Sequence, residues 1–549
     1  MTAIAPYKSA TGASGHDGFG RLLHAEWTKF RTVRGWVVAI LIAALLPVAV
    51  AFLSHSQCGI GTPGPGRTEI TTACPASPIG PGGEAVTDEF YFAHQALTGD
   101  GTITARMTSL TGEYSSHGGI VAAGNPLAGF TPGVQPWSKA GIMISAGTAQ
   151  GSAYAAMLAT GGNGTRMQWN YTGDTAGLPG AVSASSPRWL RLTRSGDTVT
   201  GYDSADGTHW TKVDSVTLSG LPAAAQVGLF ATSPGYTVNT TSFGAASSTG
   251  GPSLATGTFD NVGLSWAGAG AGAGGTWTGT SVGAGSPGNP SGPGNPGGPG
   301  PFAGKYTQAG GTLTVTGSGD IGPDVPEAPN GNGMTAQNAL VGMVFALIVI
   351  IIVAALFVTA EYRRGLIRLT FAASPRRGRV LAAKAVVVGL VTFVAGLVGA
   401  AIALPVGDQQ MRDGGNWMLP IPALTEIRMI VGVAAMLAVA AVLALALGTL
   451  ARRGVTAITV VIVVIFLPFL LGTLQGLLPL GAQEWLLRVT PAAAFAVTQQ
   501  LPAYHQVFGQ YLPANGYFPL AWWAGFAVLC LWAAAALAGA TYVLRRRDV

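Results

Sequence analysis

The 549-residue sequence has little charge, because Asp, Glu, Lys and Arg make up only 9% of it. An ordinary soluble domain contains about 25% of these residues. Hydrophobic residues make up 48% of the chain. This composition argues against an entirely soluble protein.

The sequence also lacks the motifs of several enzyme classes. It has no Gly-x-x-x-x-Gly-Lys-Ser/Thr phosphate loop, no Gly-x-Ser-x-Gly nucleophile motif and no His/Cys/Asp cluster with metal-ligand spacing. No basic stripe with interleaved aromatic residues indicates nucleic-acid binding. We therefore predict no catalytic residue, no metal and no nucleic-acid partner.

Cysteine is rare, with three residues in the chain. Cys58 and Cys74 lie in a Pro/Gly-rich segment after the first apolar stretch, and an oxidising compartment favours a disulfide between them. Closing this loop stabilises by about 3 kcal/mol in a chain-entropy estimate. Cys530 is isolated in the last apolar stretch, where we expect a packing role.

Six apolar stretches are long enough to cross a bilayer as helices, which takes roughly 20 mainly apolar residues. They contain almost no ionisable residues, which argues against a proton-coupled or ion-coupled transporter. The predicted spans are Gly35–Leu53, Asn338–Thr359, Val380–Leu404, Ile427–Leu450, Val455–Leu478 and Pro519–Leu544.

Basic residues predict the orientation, because cytoplasmic loops retain Lys and Arg. With six spans, the basic clusters near Lys29, Arg364, Arg452 and Arg546 all lie on one side. This predicts a multi-pass plasma-membrane protein with both termini in the cytoplasm and residues 54–337 outside. As an alternative, Ala49-Val50-Ala51 has the form of a signal-peptidase site, so the first stretch would be a secretory signal.

Between about Glu84 and Ser265 the pattern changes to short alternating stretches bounded by turn residues, which predicts an all-β sandwich. Asp206-Gly207 predicts a hairpin turn, because glycine adopts positive φ at little cost. Predicted strands include Thr102–Met107, Ala140–Ile144, Arg188–Thr193, Thr198–Tyr202, Trp210–Val213 and Gln226–Ala231.

Five segments resemble concanavalin-like and laminin-G-like modules: Thr98–Arg106, Trp137–Met143, Pro187–Leu192, Ser204–Trp210 and Thr258–Val262. The resemblance implies a β-sandwich that binds carbohydrate or protein. The flat faces of Trp137, Trp169 and Trp210 are candidate ligand contacts, and packing inside the sandwich is the alternative. A glycosidase would need paired carboxylates, for which Asp203, Asp206 and Glu113 are candidates, but Asp beside a turn commonly binds its own backbone.

The residues from Glu361 to Lys384 resemble the coupling loop of type-2 ABC exporter permeases. They combine an acidic-aromatic-basic opening, a Gly-x-Ile-Arg core and a Pro-Arg-Arg-x-Arg turn, although Leu366 departs from the family pattern. His24–Trp36 resembles the amphipathic interface helix of that family, and Thr490–Val497 resembles its outer helical segment.

This resemblance implies contacts with a separate ABC ATPase subunit that carries ATP and Mg. It also implies a homo- or heterodimer of permeases in the lipid membrane. As an alternative, Glu361 pairs internally with Arg364 by helical spacing. The implied coupling residues are Glu361, Arg363, Arg364, Gly365, Ile367, Arg368, Pro375, Arg376 and Arg377, and the implied interface-helix residues are Glu26, Trp27, Lys29 and Arg31.

The predicted protein is thus a polytopic α-helical membrane protein with an extracellular β-sandwich, and the permease subunit of an ATP-driven exporter. The rival functions are a membrane-anchored surface receptor or adhesion protein, and a tethered carbohydrate enzyme. The predicted domains are a tail at 1–34, the first helix at 35–53, a Cys-containing linker at 54–83, the sandwich at 84–265, a Gly/Pro-rich tether at 266–337 in which Lys305–Thr316 is a candidate strand pair, five helices at 338–544 with a cytoplasmic loop at 361–379, and a basic tail at 545–549.

Overall fold

The computed structural model describes most of the chain. The described residues are 18–53, 60–64, 67–71, 74, 76–115, 130–242, 245–266, 276–283, 304–326, 328, 333–366, 376–474 and 477–546.

Within these described residues, six helices are long and apolar enough, by length and composition, to cross a membrane. They are α2, α3 with the 3-10 turn before it, α4, α5, α6 and α8. The helices are α1 (Phe19–Thr32), α2 (Arg34–Leu53), α3 (Met343–Arg363), α4 (Arg377–Asp413), α5 (Ala423–Ala451), α6 (Gly454–Thr473), α7 (Leu480–Val489) and α8 (Trp522–Arg546), with 3-10 helices at Ala336–Leu340, Pro491–Thr498 and Pro513–Asn515.

Each predicted span coincides with one of these helices, and the ends differ by a few residues except in α4. That helix has 37 residues, which corresponds to about 55 Å at 1.5 Å per residue. A bilayer core is about 30 Å thick. Helix α4 is therefore longer than the apolar stretch Val380–Leu404 inside it.

A strand-rich region follows α2 in the chain and precedes α3. The strands are β1 (Ile60–Gly64), β2 (Arg67–Thr71), β3 (Val86–Asp88), β4 (Phe90–Thr98), β5 (Gly101–Ser115), β6 (Phe130–Pro132), β7 (Lys139–Ser145), β8 (Tyr154–Thr160), β9 (Thr165–Trp169), β10 (Gly173–Ala176), β11 (Arg188–Ser195), β12 (Thr198–Ser204), β13 (Thr211–Thr217), β14 (Ala224–Thr232), β15 (Tyr236–Ser242), β16 (Ala245–Gly251), β17 (Ser253–Trp266), β18 (Thr278–Val282), β19 (Lys305–Ala309), β20 (Thr312–Gly317) and β21 (Ile321–Pro323).

Two antiparallel sheets dominate this region. One has the order β10-β9-β8-β7-β14-β4-β18, and the other has the order β13-β12-β11-β5-β17-β20-β19 with β6 beside β5. Alternate residues of both sheets form one buried apolar cluster that includes Met157, Leu190, Leu229 and Phe259. The region is thus all-β and sandwich-like, as the alternating pattern predicts. The predicted strands and the Asp206-Gly207 hairpin are confirmed, and Gly207 has a φ of +78°.

The structure extends the sheets into the predicted tether. Strand β18 pairs with β4, and the β19–β20 hairpin adds to the edge of β17. Val315 of β20 is fully buried in the sandwich core. The interpretation of 266–337 as a tether is therefore incorrect for these strands, whereas the candidate strand pair Lys305–Thr316 is confirmed.

The strand-rich region also contacts segments that connect the membrane helices. Val325 packs with Val507 and Tyr517 in a small buried cluster. The Nε2 of Gln506 donates to the carbonyl oxygen of Thr172 at 3.0 Å. These contacts hold the sandwich against the connection between α7 and α8.

Candidate functional site at the ends of helices one, three and four

Three segments that the sequence resemblance singles out meet in the structure. Helix α1 is separated from α2 by Val33, which has an extended backbone with φ −88° and ψ 96°. This break lets α1 take its own direction and turn one face toward the helix bundle. Glu26 and Phe30 lie on that face and are only 2% and 3% exposed.

A cluster of four charged side chains, of which Glu26, Glu361 and Lys384 are buried and Lys29 is partly exposed, joins α1 to α3 and α4. The Nζ of Lys384 lies 2.6 Å from Glu26 Oε2 and 2.7 Å from Glu361 Oε1. The Nζ of Lys29 lies 2.8 Å from Glu26 Oε1 and 3.3 Å from Glu361 Oε1. We call Glu26, Lys29, Glu361 and Lys384 the ionic cluster. Its two carboxylates and two ammonium groups balance in charge.

Aromatic side chains pack beside the ionic cluster. The ring of Phe357 contacts those of Phe30 and Trp36 edge to face, with centroids 5.7 and 5.0 Å apart. The Nζ of Lys384 lies 4.8 Å from the centre of the Phe357 ring. These apolar neighbours exclude water, which strengthens the ion pairs and raises the cost of losing one partner.

The electrostatics of Lys29 reflect this pairing. Burial alone lowers the pKa of its ammonium group, but the hydrogen bond and charge of Glu26, together with Glu361, raise that pKa above its usual value. Lys29 therefore stays protonated throughout the physiological range.

The end of α3 presents basic side chains to the surroundings. Gly365 has a φ of +69° and its N–H donates to the carbonyl of Tyr362. This left-handed conformation favours glycine and ends a helix. Arg363 and Arg364 are exposed beside it, and Arg31 of α1 and Arg376 before α4 are exposed as well.

The predicted coupling and interface-helix residues thus divide into two groups. Glu26 and Glu361 are buried in the ionic cluster, whereas Trp27 is 42% exposed and available for contact. Glu361 pairs with Lys29 and Lys384, and among the described residues no ion pair joins it to Arg364, whose side chain is exposed. Arg377 is partly buried and donates to the carbonyl of Leu544 at 2.7 Å. Ile367, Arg368 and Pro375 lie outside the described residues.

The candidate tryptophans of the sandwich are half-buried. Trp210 lies under the guanidinium of Arg191 at 3.7 Å, and Trp137 lies near the guanidinium of Arg166 at 5.6 Å. Trp169 packs against the sandwich core. Their role as ligand contacts stays a prediction.

The candidate carboxylates of the sandwich have different surroundings. Asp203 is 1% exposed and accepts hydrogen bonds from Thr165 Oγ1 and the Leu178 N–H. Asp206 accepts from the N–H groups of Thr208 and His209 and so stabilises the turn. Glu113 is exposed on β5. The first two carboxylates therefore act as turn and packing groups.

The structure describes Cys74 and Cys530. Cys74 is disulfide-bonded, and Cys530 is free and partly buried in α8. Cys58 lies outside the described residues, so the Cys58–Cys74 pairing stays a prediction.

Sequence reasoning missed Lys384 as a site residue. It stands at the end of the quoted loop, only four residues into the predicted span Val380–Leu404, and is 1% exposed. A lysine placed inside an apolar span needs a partner, and this signal identifies it. The partner Glu26 is 358 positions away in sequence, beyond the reach of local patterns.

The apolar helices, the interface helix and the loop after α3 define a multi-pass membrane protein of the transporter type. Residues 145–549 match the model of the ABC-2 family transporter proteins, and the chain belongs to this family. It is thus a transmembrane permease subunit of an ABC transporter. The outer segment predicted at Thr490–Val497 corresponds to the buried 3-10 helix Pro491–Thr498.

Comparisons with other proteins add little. No curated protein matches the chain. Among solved structures it is similar to scytalido-glutamic peptidase with a peptide-based transition-state analogue, at 8% identity and a TM-score of 0.21 over 42% of this chain and 98% of that one. A functionally unknown protein from Saccharomyces cerevisiae gives 15% identity and 0.19 over 38% and 97%, and alginate lyase from Klebsiella pneumoniae gives 16% and 0.16 over 31% and 61%. TM-scores this low support no inference about function.

Proposed function

We propose that this protein is the permease subunit of an ATP-driven exporter and that the ionic cluster transmits movement from a separate ATPase subunit. The partner ATPase holds ATP and Mg. In this arrangement the termini and the loop at 361–379 face the cytoplasm, and the sandwich lies outside. Two permease chains, identical or different, make up the membrane part.

The observation that carries this proposal is the junction of α1, α3 and α4 at Lys384. An ammonium bound to carboxylates of two other segments resists their separation, because each separation would leave a buried charge unpaired. A force applied to α1 or to the C-terminal end of α3 therefore moves the N-terminal end of α4 as well.

In this proposal the ATPase docks on the exposed residues of this protein around the junction. Trp27 offers an apolar contact, and Arg31, Arg363, Arg364 and Arg376 offer guanidinium groups that form charge-assisted bonds with carboxylates. Buried Glu26 and Glu361 serve the junction and not the contact itself. The sandwich, in the same proposal, is a concanavalin-like module with a carbohydrate or protein ligand.

The test is recovery of an ATPase with the intact protein extracted from its host membranes. The Arg363→Glu, Arg364→Glu double variant reverses two exposed charges and should lose the ATPase at wild-type stability. Arg412→Glu is the matched control, because Arg412 is an exposed arginine at the other end of α4. Recovery of no ATPase with any of the three proteins would support the receptor alternative instead.

A further inference from the structure

The first turn of α4 and the last turn of α8 meet at one end of the helix bundle. Arg377 Nη1 donates to the carbonyl oxygen of Leu544 at 2.7 Å. In the opposite direction, Arg545 Nη2 lies 4.0 Å from the position that a Cβ atom on Gly378 would occupy. These two contacts bring arginine side chains of both helices to the same junction.

Three exposed arginines surround this junction, and we call Arg379, Arg545 and Arg546 the arginine patch. Arg379 directly follows Gly378 in the first turn of α4. The guanidinium carbon of Arg546 lies 4.5 Å from the centre of the Tyr542 ring, one turn earlier in α8. None of the three arginines forms an ion pair with a described residue. The patch thus carries three positive charges without a carboxylate partner in the described part of the chain.

Carboxylates are scarce at this end of the helix bundle. Among the described residues of the helical part, Glu26 and Glu361 lie at this end, and both are buried and paired with lysines in the ionic cluster. The other described carboxylates of the helical part lie near the opposite ends of the helices: Asp408, Asp413, Glu426 and Glu484. The charge of the arginine patch is therefore open to an anionic partner from outside the chain.

An apolar stripe leads away from the patch along each helix. Side chains of α4 at four-residue spacing, which share one helix face, are between 43% and 62% exposed: Val386, Leu390, Val394, Val398 and Ile402. On α8, Leu531, Ala535 and Ala538 are exposed on the face that leads to Tyr542. Both helices are apolar and long enough to cross a membrane, so these stripes face hydrocarbon and the patch lies at its boundary. Tyrosine is enriched at that boundary, and Tyr542 is 55% exposed there.

The combination of charge and apolar surface selects the partner. A soluble acidic peptide would pair with the arginines but leave the stripes without a contact. An anionic phospholipid satisfies both, because its phosphate accepts charge-assisted hydrogen bonds from guanidinium groups and its acyl chains lie along apolar side chains. A zwitterionic lipid gains less, since its own cationic group compensates its phosphate.

We propose that the arginine patch binds the phosphate of an anionic phospholipid, whose acyl chains lie against the exposed stripes of α4 and α8. Arg377 is a positioning residue of this site, because its hydrogen bond to Leu544 holds the last turn of α8 against α4. The site is distinct from the ionic cluster, whose four charges balance one another. The proposal requires no ATPase, so it goes beyond the proposed transport function and fails or holds independently of it.

The test is native mass spectrometry of the full-length protein in detergent, titrated with phosphatidylglycerol or with phosphatidylcholine of the same acyl chains. The wild type should bind the anionic lipid about tenfold more tightly. The Arg545→Gln, Arg546→Gln variant should lose most of this preference. The Arg34→Gln, Arg453→Gln variant is the matched control, because it removes two exposed arginines from the same end of the helix bundle, and it should keep the preference. Thermal unfolding in lipid-free detergent checks that both variants fold.

A third variant, Arg545→Lys with Arg546→Lys, should keep part of the preference, because lysine retains the charge but not the planar fork of the guanidinium group. Equal affinity of the wild type for the two lipids would overturn the proposal. An equal loss of preference in the matched control would also overturn it, since only the summed charge of this end would then matter. Competition by water-soluble glycerol phosphate as effective as that by the whole lipid would exclude a contribution of the apolar stripes and overturn the lipid assignment.

Discussion

The two ends of α3 differ in how their buried charged and polar groups are paired. At its C-terminal end, Glu361 is compensated by Lys29 and Lys384 within the ionic cluster. Before its N-terminal end, the N–H of Ala336 donates to Gln500 Oε1 at 2.6 Å, a hydrogen bond between neutral groups. The paired end is suited to carry force, because its ion pairs join three segments, although Oε2 of Glu361 is buried without a hydrogen-bond partner among the described residues. The contact at the other end is a neutral hydrogen bond, whose loss costs less than the loss of one member of a buried ion pair.

The largest effect is expected from Lys384→Met, which tests the paired end. The variant keeps the length of the side chain but leaves Glu26 and Glu361 with only the partly exposed Lys29 as a common partner. Removing one member of a buried ion pair costs about 3–5 kcal/mol. We expect a clear fall in the thermal unfolding midpoint in detergent.

Lys305→Met is the control for this prediction, since Lys305 is an exposed lysine of β19. A further Glu361→Gln change in the Lys384→Met background should cost less than it does alone, because it removes an uncompensated charge. Equal midpoints for Lys384→Met and the control would show that the cluster adds no stability.

A second prediction concerns how the stability of the sandwich depends on pH. Burial raises the pKa of Asp88 in β3 to about 6, against hydrogen bonds from the Gly151 N–H and the Tyr171 hydroxyl that lower it. The folded pKa exceeds the unfolded value of 3.8, so the folded state binds the proton more tightly. This group therefore destabilises the fold above pH 6, and stability should rise as the pH falls from 7 to about 4, by at most about 3 kcal/mol.

Asp88→Asn isolates this contribution, because its Oδ1 still accepts from Tyr171 and Gly151. Unfolding of the sandwich, followed by denaturant titration at pH 5 and pH 7, should depend less on pH in the variant. A pH dependence as steep as that of the wild type would assign it to other groups.

A smaller effect is expected at the sandwich surface. Arg191 lies over the ring of Trp210 at 3.7 Å, and such a contact contributes about 0.5–1 kcal/mol at an exposed site. Arg191→Gln should lower the free energy of unfolding by this amount, whereas Arg191→Lys should retain part of it. Denaturant titration of the three proteins measures the difference, and a loss as large with lysine as with glutamine would exclude the cation–π contribution.

The smallest effect on stability is expected from the double variant that carries both Arg363→Ala and Arg364→Ala. Both side chains are exposed, and surface substitutions usually change stability by less than about 0.5 kcal/mol. The double variant should therefore unfold as the wild type does, yet bind the ATPase less well. A large loss of stability would place these arginines in the fold and not at a partner surface.

The comparison also explains what the sequence could and could not predict. The helices and most strands follow local periodicity, so Gly35–Leu53 and Arg188–Thr193 are found nearly at their observed bounds. The turn at Gly207 follows from glycine's conformational freedom. These features depend on neighbours in sequence.

The missed features depend on distant partners. Strand β18 has little apolar content of its own and gains order by pairing with β4. Lys384 pairs with Glu26 across the helix bundle, 358 positions away in sequence. Gln500 carries no motif, and its hydrogen bond with Ala336 spans 164 positions in sequence.

The most direct test of the central claim is a distance measurement between spin labels on α1 and α4, at the exposed positions Arg31 and Arg379. The complex with the ATPase is measured without nucleotide and after trapping with ADP and vanadate. The ionic cluster predicts the same narrow distance distribution in both states, and a broader one in the Lys384→Met variant. A wild-type distance that shifts on trapping would show that α1 and α4 move separately, and it would contradict the proposed transmission.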